Sequence, residues 1–223
     1  MNSARRMLRM LLLVQAAAAI GVAAALHGWR GWPLTGALAA SLALVVLVRA
    51  LIFTNNFVLS ASAASATPAE FRLGPAGWLR LWGEEFAASM LQSSWHGAGA
   101  HCKPVQVLFD SGAAAPPPVL LLHGYGCNSG YWTQLARRLA DQRISYASVD
   151  LEPVTGAIDD YVARVEAAVQ GLLRASGAGQ IAIVAHSMGG LVARAWLRQH
   201  GSARLARLIT LGSPHHGTVL ANF

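Results

Sequence analysis

The chain has 223 residues, 54% hydrophobic and only 12% charged. That leaves room for one sizeable domain plus extra segments, and it is greasier than an ordinary soluble domain. The formal charge of +7 comes without basic residues clustered among aromatics, so a nucleic-acid-binding surface is not expected. Two cysteines, Cys102 and Cys127, are too few for a disulfide framework and too far apart for a CxxC metal site. They read as two free thiols or one bridge.

Met7 to Leu26 and Leu34 to Phe53 are apolar runs of about 20 residues, the length that spans a bilayer core. Arg9 and Arg49 sit near their ends, where long side chains snorkel to the headgroups. Between them lies "HGWRGWP", with interfacial tryptophans and Pro33 for a turn. A helical hairpin anchor over residues 1–53 is expected. The rival for the first run is a cleaved signal peptide, with Ala23-Ala24-Ala25 as the cleavage site. Either way the second run starts outside and ends inside. Three arginines at the start of the first run, Arg5, Arg6 and Arg9, against Arg30 in the short loop, also favour an inside N-terminus. The larger C-terminal part is therefore expected at the cytoplasmic face of the inner (cytoplasmic) membrane.

Residues 54–103 read as a linker and an amphipathic helix. Thr54 to about Ala66 is small and polar. "TPAE" predicts a helix start, with Thr67 as cap, Pro68 in the first position and Glu70 completing a capping box. After Gly74-Pro75, the three- and four-residue spacing of Leu79, Trp82, Phe86 and Met90 predicts an amphipathic helix. It suits a membrane surface or a face of the following domain.

From Pro104 onward the pattern changes. Strands are expected at Val105–Phe109, Val119–His123, Ser145–Asp150, Gln180–Ala185 and Leu205–Gly212. Helices are expected from Ser129, from Asp159 to a stop at Gly177, and from Met188 to about Gly201. Strand alternating with helix predicts a parallel sheet with helices on both faces, an α/β fold.

Three stretches carry chemistry. In "VAHSMGG" a serine, Ser187, follows an apolar strand and opens a helix, with Ala185 and Gly189 as small neighbours, an A-x-S-x-G form of the nucleophile elbow. Met188 would then offer its N–H at the positive end of the helix dipole. In "LLHGYGCNSGYW" a His-Gly pair follows a buried strand, and Tyr125 would supply a second oxyanion N–H. His123 and Gly124 are read as supports of that turn, His123 as a base being the minor alternative. In "LGSPHHGT" His215 and His216 are adjacent at a turn and no Cys or carboxylate cluster joins them, so no metal is expected. Either one as catalytic base is again the lesser reading.

Taken together, "HGYG", "AHSMGG" and "GSPHHGT", each after a strand and in this order, resemble the α/β-hydrolase superfamily, its serine lipase and esterase branch most closely. The resemblance covers residues 104–223. It implies a serine nucleophile, an oxyanion hole from the Tyr125 and Met188 amides, no cofactor, and an ester or lipid-like small-molecule substrate. The family's triad runs Ser, then acid, then His. Here the 36 residues after Ser187 hold no Asp or Glu. Asp150 precedes the elbow and reads as a loop or helix-start residue. The expectation is an N-terminal part of such a domain, C-terminally truncated, with acid and base beyond residue 223 and impaired activity. An acyltransferase on the same fold, or a non-catalytic truncated membrane protein, stays open.

Overall fold

The computed structural model describes residues 3–64, 66–99 and 116–218. Cys102 and the expected strand at Val105–Phe109 lie outside the described residues. The chain divides into two compact units, Met1–Leu8 with Gln92–His216, and Arg9–Leu91 with Gly217–Phe223.

In the second unit, the helices α1 (Ser3–Arg30, whose first turns belong to the other unit) and α2 (Leu34–Ser62) are long and apolar enough to cross a membrane. They are candidate transmembrane spans. The turn between them is shorter than the expected loop, because His27 to Arg30 remain helical. A further difference lies at residues 54–62, read above as linker. They continue α2 to Ser62. Aromatic packing is the physical reason. Phe53 and Phe57 of α2 lie 5.6–6.2 Å, centroid to centroid, from Trp78, Trp82 and Phe86 of α3 (Pro75–Leu91). Trp82 Nε1 also donates to Thr54 Oγ1 at 3.0 Å. A polar-looking segment is thus held helical by tertiary contacts that composition does not reveal. The cap expected of Thr67 is not made. Pro68 precedes a short 3-10 turn, Ala69–Phe71, with no side-chain cap. The amphipathic helix itself forms as α3 with Pro75 in its first position, where the missing N–H costs nothing.

Among its described residues the first unit holds a four-stranded parallel sheet in the order β2-β1-β3-β4. Its strands are β1 (Val119–Leu122), β2 (Tyr146–Val149), β3 (Ile181–His186) and β4 (Leu205–Leu211). Side chains alternate between the faces. Leu120, Leu122, Ile181, Ile183 and Ala185 join the core under α5 (Val162–Ser176) and α6 (Met188–His200). Val119, Leu121 and Ala182 join the smaller core with Trp132 and Ala136, beside α4 (Thr133–Asp141). Central β1 is buried on both faces, which is why its sequence is an unbroken apolar run. Two helices begin with a 3-10 turn, Ser129–Trp132 before α4 and Ile158–Tyr161 before α5. α5 ends where expected, on Gly177 in the left-handed conformation (φ 67°). All four strands run the same way, so the loops after β1, β2 and β3 gather at one edge of the sheet.

Candidate active site

Ser187 stands between β3 and α6 with φ 52° and ψ −124°. That backbone is sparsely populated for a residue with a Cβ and costs on the order of 1–3 kcal/mol. Neighbours hold it there. Ser187 N–H donates to Leu211 O at 2.9 Å, and the Ser187 carbonyl accepts from Gly190 N–H at 3.0 Å. Such tight packing needs small residues. A Cβ on Gly189 would lie 2.5 Å from Leu122 O and 2.7 Å from His123 O. A Cβ on Gly124 would lie 3.0 Å from the Ser187 Cβ. Two stretches far apart in the chain, at Gly124 and Ser187, are therefore pressed together at the serine.

The loop after β1 is fixed by His123, which is buried. Its Nε2 accepts the Leu151 N–H at 3.0 Å, so the ring proton is on Nδ1, which donates to Gly124 O at 2.8 Å. Burial pushes the imidazole pKa down, against smaller upward effects of the Gly124 hydrogen bond and of Asp150 and Glu152, and the ring is neutral. Gly124 O also accepts from Cys127 N–H at 3.3 Å. In a trans peptide N–H and C=O point oppositely, so these two bonds set the direction of the Tyr125 N–H. Met188 is the first residue of α6, and its N–H is among those a helix start leaves without an intrahelical partner. The Tyr125 side chain is 63% exposed and leaves that loop open to solvent.

Nearby polar groups are engaged elsewhere. Asp150 Oδ1 accepts the Ser129 N–H at 2.7 Å and lies 3.8 Å from His123 Nε2. His215 bonds Thr210 Oγ1 at 3.1 Å and Arg194 at 3.3 Å. His186 stacks on Tyr131, with ring centroids 4.4 Å apart. Among the described residues no histidine or carboxylate is hydrogen-bonded to Ser187 Oγ. Cys127 is a free thiol whose pKa burial raises to about 11, which makes it a poor nucleophile. Sequence reasoning missed Glu152, in the loop after β2, whose partners are Ser3 and Ala4. No local pattern signals a contact across 149 positions.

Residues 117–222 match the family model described as the alpha/beta hydrolase fold. This segment belongs to the α/β-hydrolase superfamily. The four-stranded parallel sheet with its helices fits a partial core of that fold. None of the curated proteins matches the chain. Among solved structures, the chain is similar to the mature form of lipase BlEst2 of Bacillus licheniformis, with 25% identity, TM-score 0.47, and 55% of this chain and 51% of the lipase covered. It is also similar to naproxen esterase (carboxylesterase NP) of Bacillus subtilis, with 20% identity, TM-score 0.33 and coverage of 61% and 50%. A carboxylesterase structure from the thaumarchaeon Nitrososphaera gargenis gives 19% identity, TM-score 0.38 and coverage of 46% and 39%. The chain spans about half the length of the lipase it matches.

Proposed function

We propose that this α/β-hydrolase chain is a membrane-anchored carboxylic-ester hydrolase of the serine type. The observation that carries the reading is the conformation of Ser187, a non-glycine residue at φ 52° between a buried strand and a helix. Strain of that kind is retained where the surroundings enforce it, and here two glycines leave the room for it. In this reading Ser187 Oγ attacks the ester carbonyl. The Tyr125 and Met188 amides hold the oxyanion. The C–O bond to the alcohol breaks, the serine proton leaves with the alcohol, and water then releases the acid from the acyl-enzyme. Each oxyanion donor is worth about 3 kcal/mol to the transition state.

The proton step needs a base, and a serine without one is a weak nucleophile at neutral pH. His123, His186 and His215 have the other engagements described above, and no Asp or Glu follows Ser187 within the 223 residues. Without a base, the oxyanion hole and binding alone would provide about 10³–10⁴-fold over water. α1 and α2 are read as a hairpin anchor with the hydrolase domain on the cytoplasmic side, and lipid-like esters are the substrates that such an anchor suits.

A fluorophosphonate probe and p-nitrophenyl esters test the chemistry on the full chain in detergent. Slow labelling that maps to Ser187 and vanishes in Ser187→Ala is expected. Labelling at another residue would overturn the nucleophile. Rapid labelling of Ser187 would show that a base is in place after all. Protease protection in inverted vesicles tests the orientation, and a shielded hydrolase domain would reverse it.

A further inference from the structure

The start of α1 is buried more densely than the stretch that follows it. Ala4, Arg5 and Leu8 are 0%, 5% and 9% exposed, whereas Met10 and Leu13, a turn further on, are 60% and 69% exposed. Residues Met1–Leu8 belong to the compact unit that holds the sheet. Length agrees with this division. α1 has 28 residues, and about 20 suffice to cross the apolar core of a bilayer. The surplus is about the two turns that are buried in protein.

What buries those turns is the active-site edge of the sheet. Glu152, three residues beyond β2, accepts the N–H groups of Ser3 at 2.8 Å and Ala4 at 3.5 Å and also the Ser3 hydroxyl. A carboxylate at this point satisfies amides that a helix start leaves unpaired, and it faces the positive end of the helix dipole. One turn on, Met7 Cε lies 3.9 Å from the Cβ position of Gly126, the residue after Tyr125. Leu8 Cδ1 lies 2.6 Å and the backbone Gln92 O 2.9 Å from the Cβ position of Gly97, so a side chain there would meet a carbonyl that cannot swing aside. The 92–99 segment is bolted in turn to the loop after β1. Asn128 Nδ2 donates to Gly97 O at 2.7 Å, and a Cβ on Gly130 would meet His96 O at 2.2 Å. The start of α1, the turn at Gly97 and the loop at residues 124–130 thus form one packed stack, and Glu152 supplies its polar fastening.

The geometry points to Glu152 as a positioning residue that clamps the start of α1 across the loop carrying Tyr125, so that the placement of this loop depends on the helix that continues into the apolar span. The catalytic part of this inference rests on the proposed role of the Tyr125 amide; the clamp itself does not. Removal of the carboxylate releases the first turns of α1, and the 124–130 loop then loses the wall formed by Met7 and Leu8.

Hydrogen–deuterium exchange on the full chain in lipid nanodiscs tests the clamp without recourse to activity. In Glu152→Ala, amides of residues 4–8 and 125–130 are expected to exchange at least tenfold faster than in wild type, with β3 and α6 unchanged. Glu152→Gln, which keeps one acceptor oxygen, is expected to restore part of the protection. Unchanged exchange at 125–130 would overturn the clamp. So would acceleration spread evenly over β3 and α6 in Glu152→Ala together with a flat response of Ser3→Ala, which removes only the hydroxyl contact. In parallel, fluorophosphonate labelling of Glu152→Ala is expected to lose about tenfold in maximal rate at unchanged probe affinity. A wild-type chain that takes no label but shows the regional exchange response supports the clamp and sinks the serine reading alone.

Discussion

The two ends of the sheet are built on opposite terms. Toward the N-terminal ends of the strands, polar groups answer one another. Glu166 on α5 accepts from Arg204 at 2.7 and 3.0 Å, from Trp196 Nε1 at 2.8 Å and from Gln170 at 2.7 Å. α5 and α6 stop there on glycines with positive φ, Gly177 and Gly201. At the C-terminal ends the account is reversed. Ser187 is held in a strained backbone, and His186 Nδ1 and Ser213 Oγ are buried without a hydrogen-bond partner among the described residues. Unpaired buried atoms and enforced backbone conformations each cost stability. The unpaired atoms flank the Ser187 turn, and although Arg143 also takes a positive φ (57°) just before β2 at the opposite edge, the paired polar groups there help to offset the cost.

The strongest way to break this contrast is Gly189→Ala. The new methyl would meet two backbone carbonyl oxygens at 2.5 and 2.7 Å, and neither can swing aside. A loss of about 3 kcal/mol is expected, read as a shift in the denaturation midpoint of the full chain in detergent. A loss below about 1 kcal/mol would mean that the elbow is not rigidly packed. Next comes Glu166→Ala, which leaves Trp196 Nε1 and the Arg204 guanidinium without their acceptor. Glu166 is mostly buried and Arg204 about a third exposed. About 2 kcal/mol is expected from the same measurement, less than for a fully buried pair.

Acid weakens the same fastening more gently. The Arg204 guanidinium, opposed in part by burial and helped by Trp196 and Gln170, pulls the Glu166 pKa from 4.5 down to about 2. The folded state thus holds the proton less tightly than the unfolded state. Its contribution, on the order of 1–2 kcal/mol after allowance for solvent screening, is complete above about pH 4.5 and is lost as pH falls toward 2. The difference in melting temperature between wild type and Glu166→Gln should therefore shrink across that window. A constant difference would separate the pair from the acid response of the domain.

How much of this was legible in the sequence follows from where the forces act. β1 and β3 were readable because burial on both faces demands unbroken apolar runs, and α5 because Tyr161, Val165, Val169 and Leu172 repeat at helical spacing and Gly177 ends it. The strand-to-helix turn at Ser187, as distinct from any chemistry there, was readable because such a tight turn needs small residues at fixed offsets. Residues 54–62 were not, since Phe57 and Thr54 are held helical by Trp78 and Trp82 more than twenty positions away. Thr67 failed as a cap because the chain there makes only a three-residue 3-10 turn behind Pro68. Glu152 was silent for the same reason as residues 54–62: its partners lie at the far end of the chain, and a lone glutamate in a loop has no period or spacing to announce it.

The smallest expected effect sharpens the contrast from the side of the site. His186 is next to Ser187, stacks on Tyr131 at an interplanar angle of 20°, and buries Nδ1 without a partner among the described residues. Burial, with a smaller effect of His123, holds its pKa below the usual histidine value. A phenyl ring in its place keeps the stack and removes the unpaired nitrogen. His186→Phe is therefore expected to leave stability within about 0.5 kcal/mol of wild type, because the packing it retains matters more than the polarity it loses. Its rate of fluorophosphonate labelling at Ser187 is expected to stay within twofold, with the same dependence on pH. A drop of a hundredfold would make His186 the base for Ser187. A loss of more than about 1 kcal/mol with labelling intact would instead make the imidazole a structural member of the elbow, and the orphaned atoms would no longer distinguish this end of the sheet from the other.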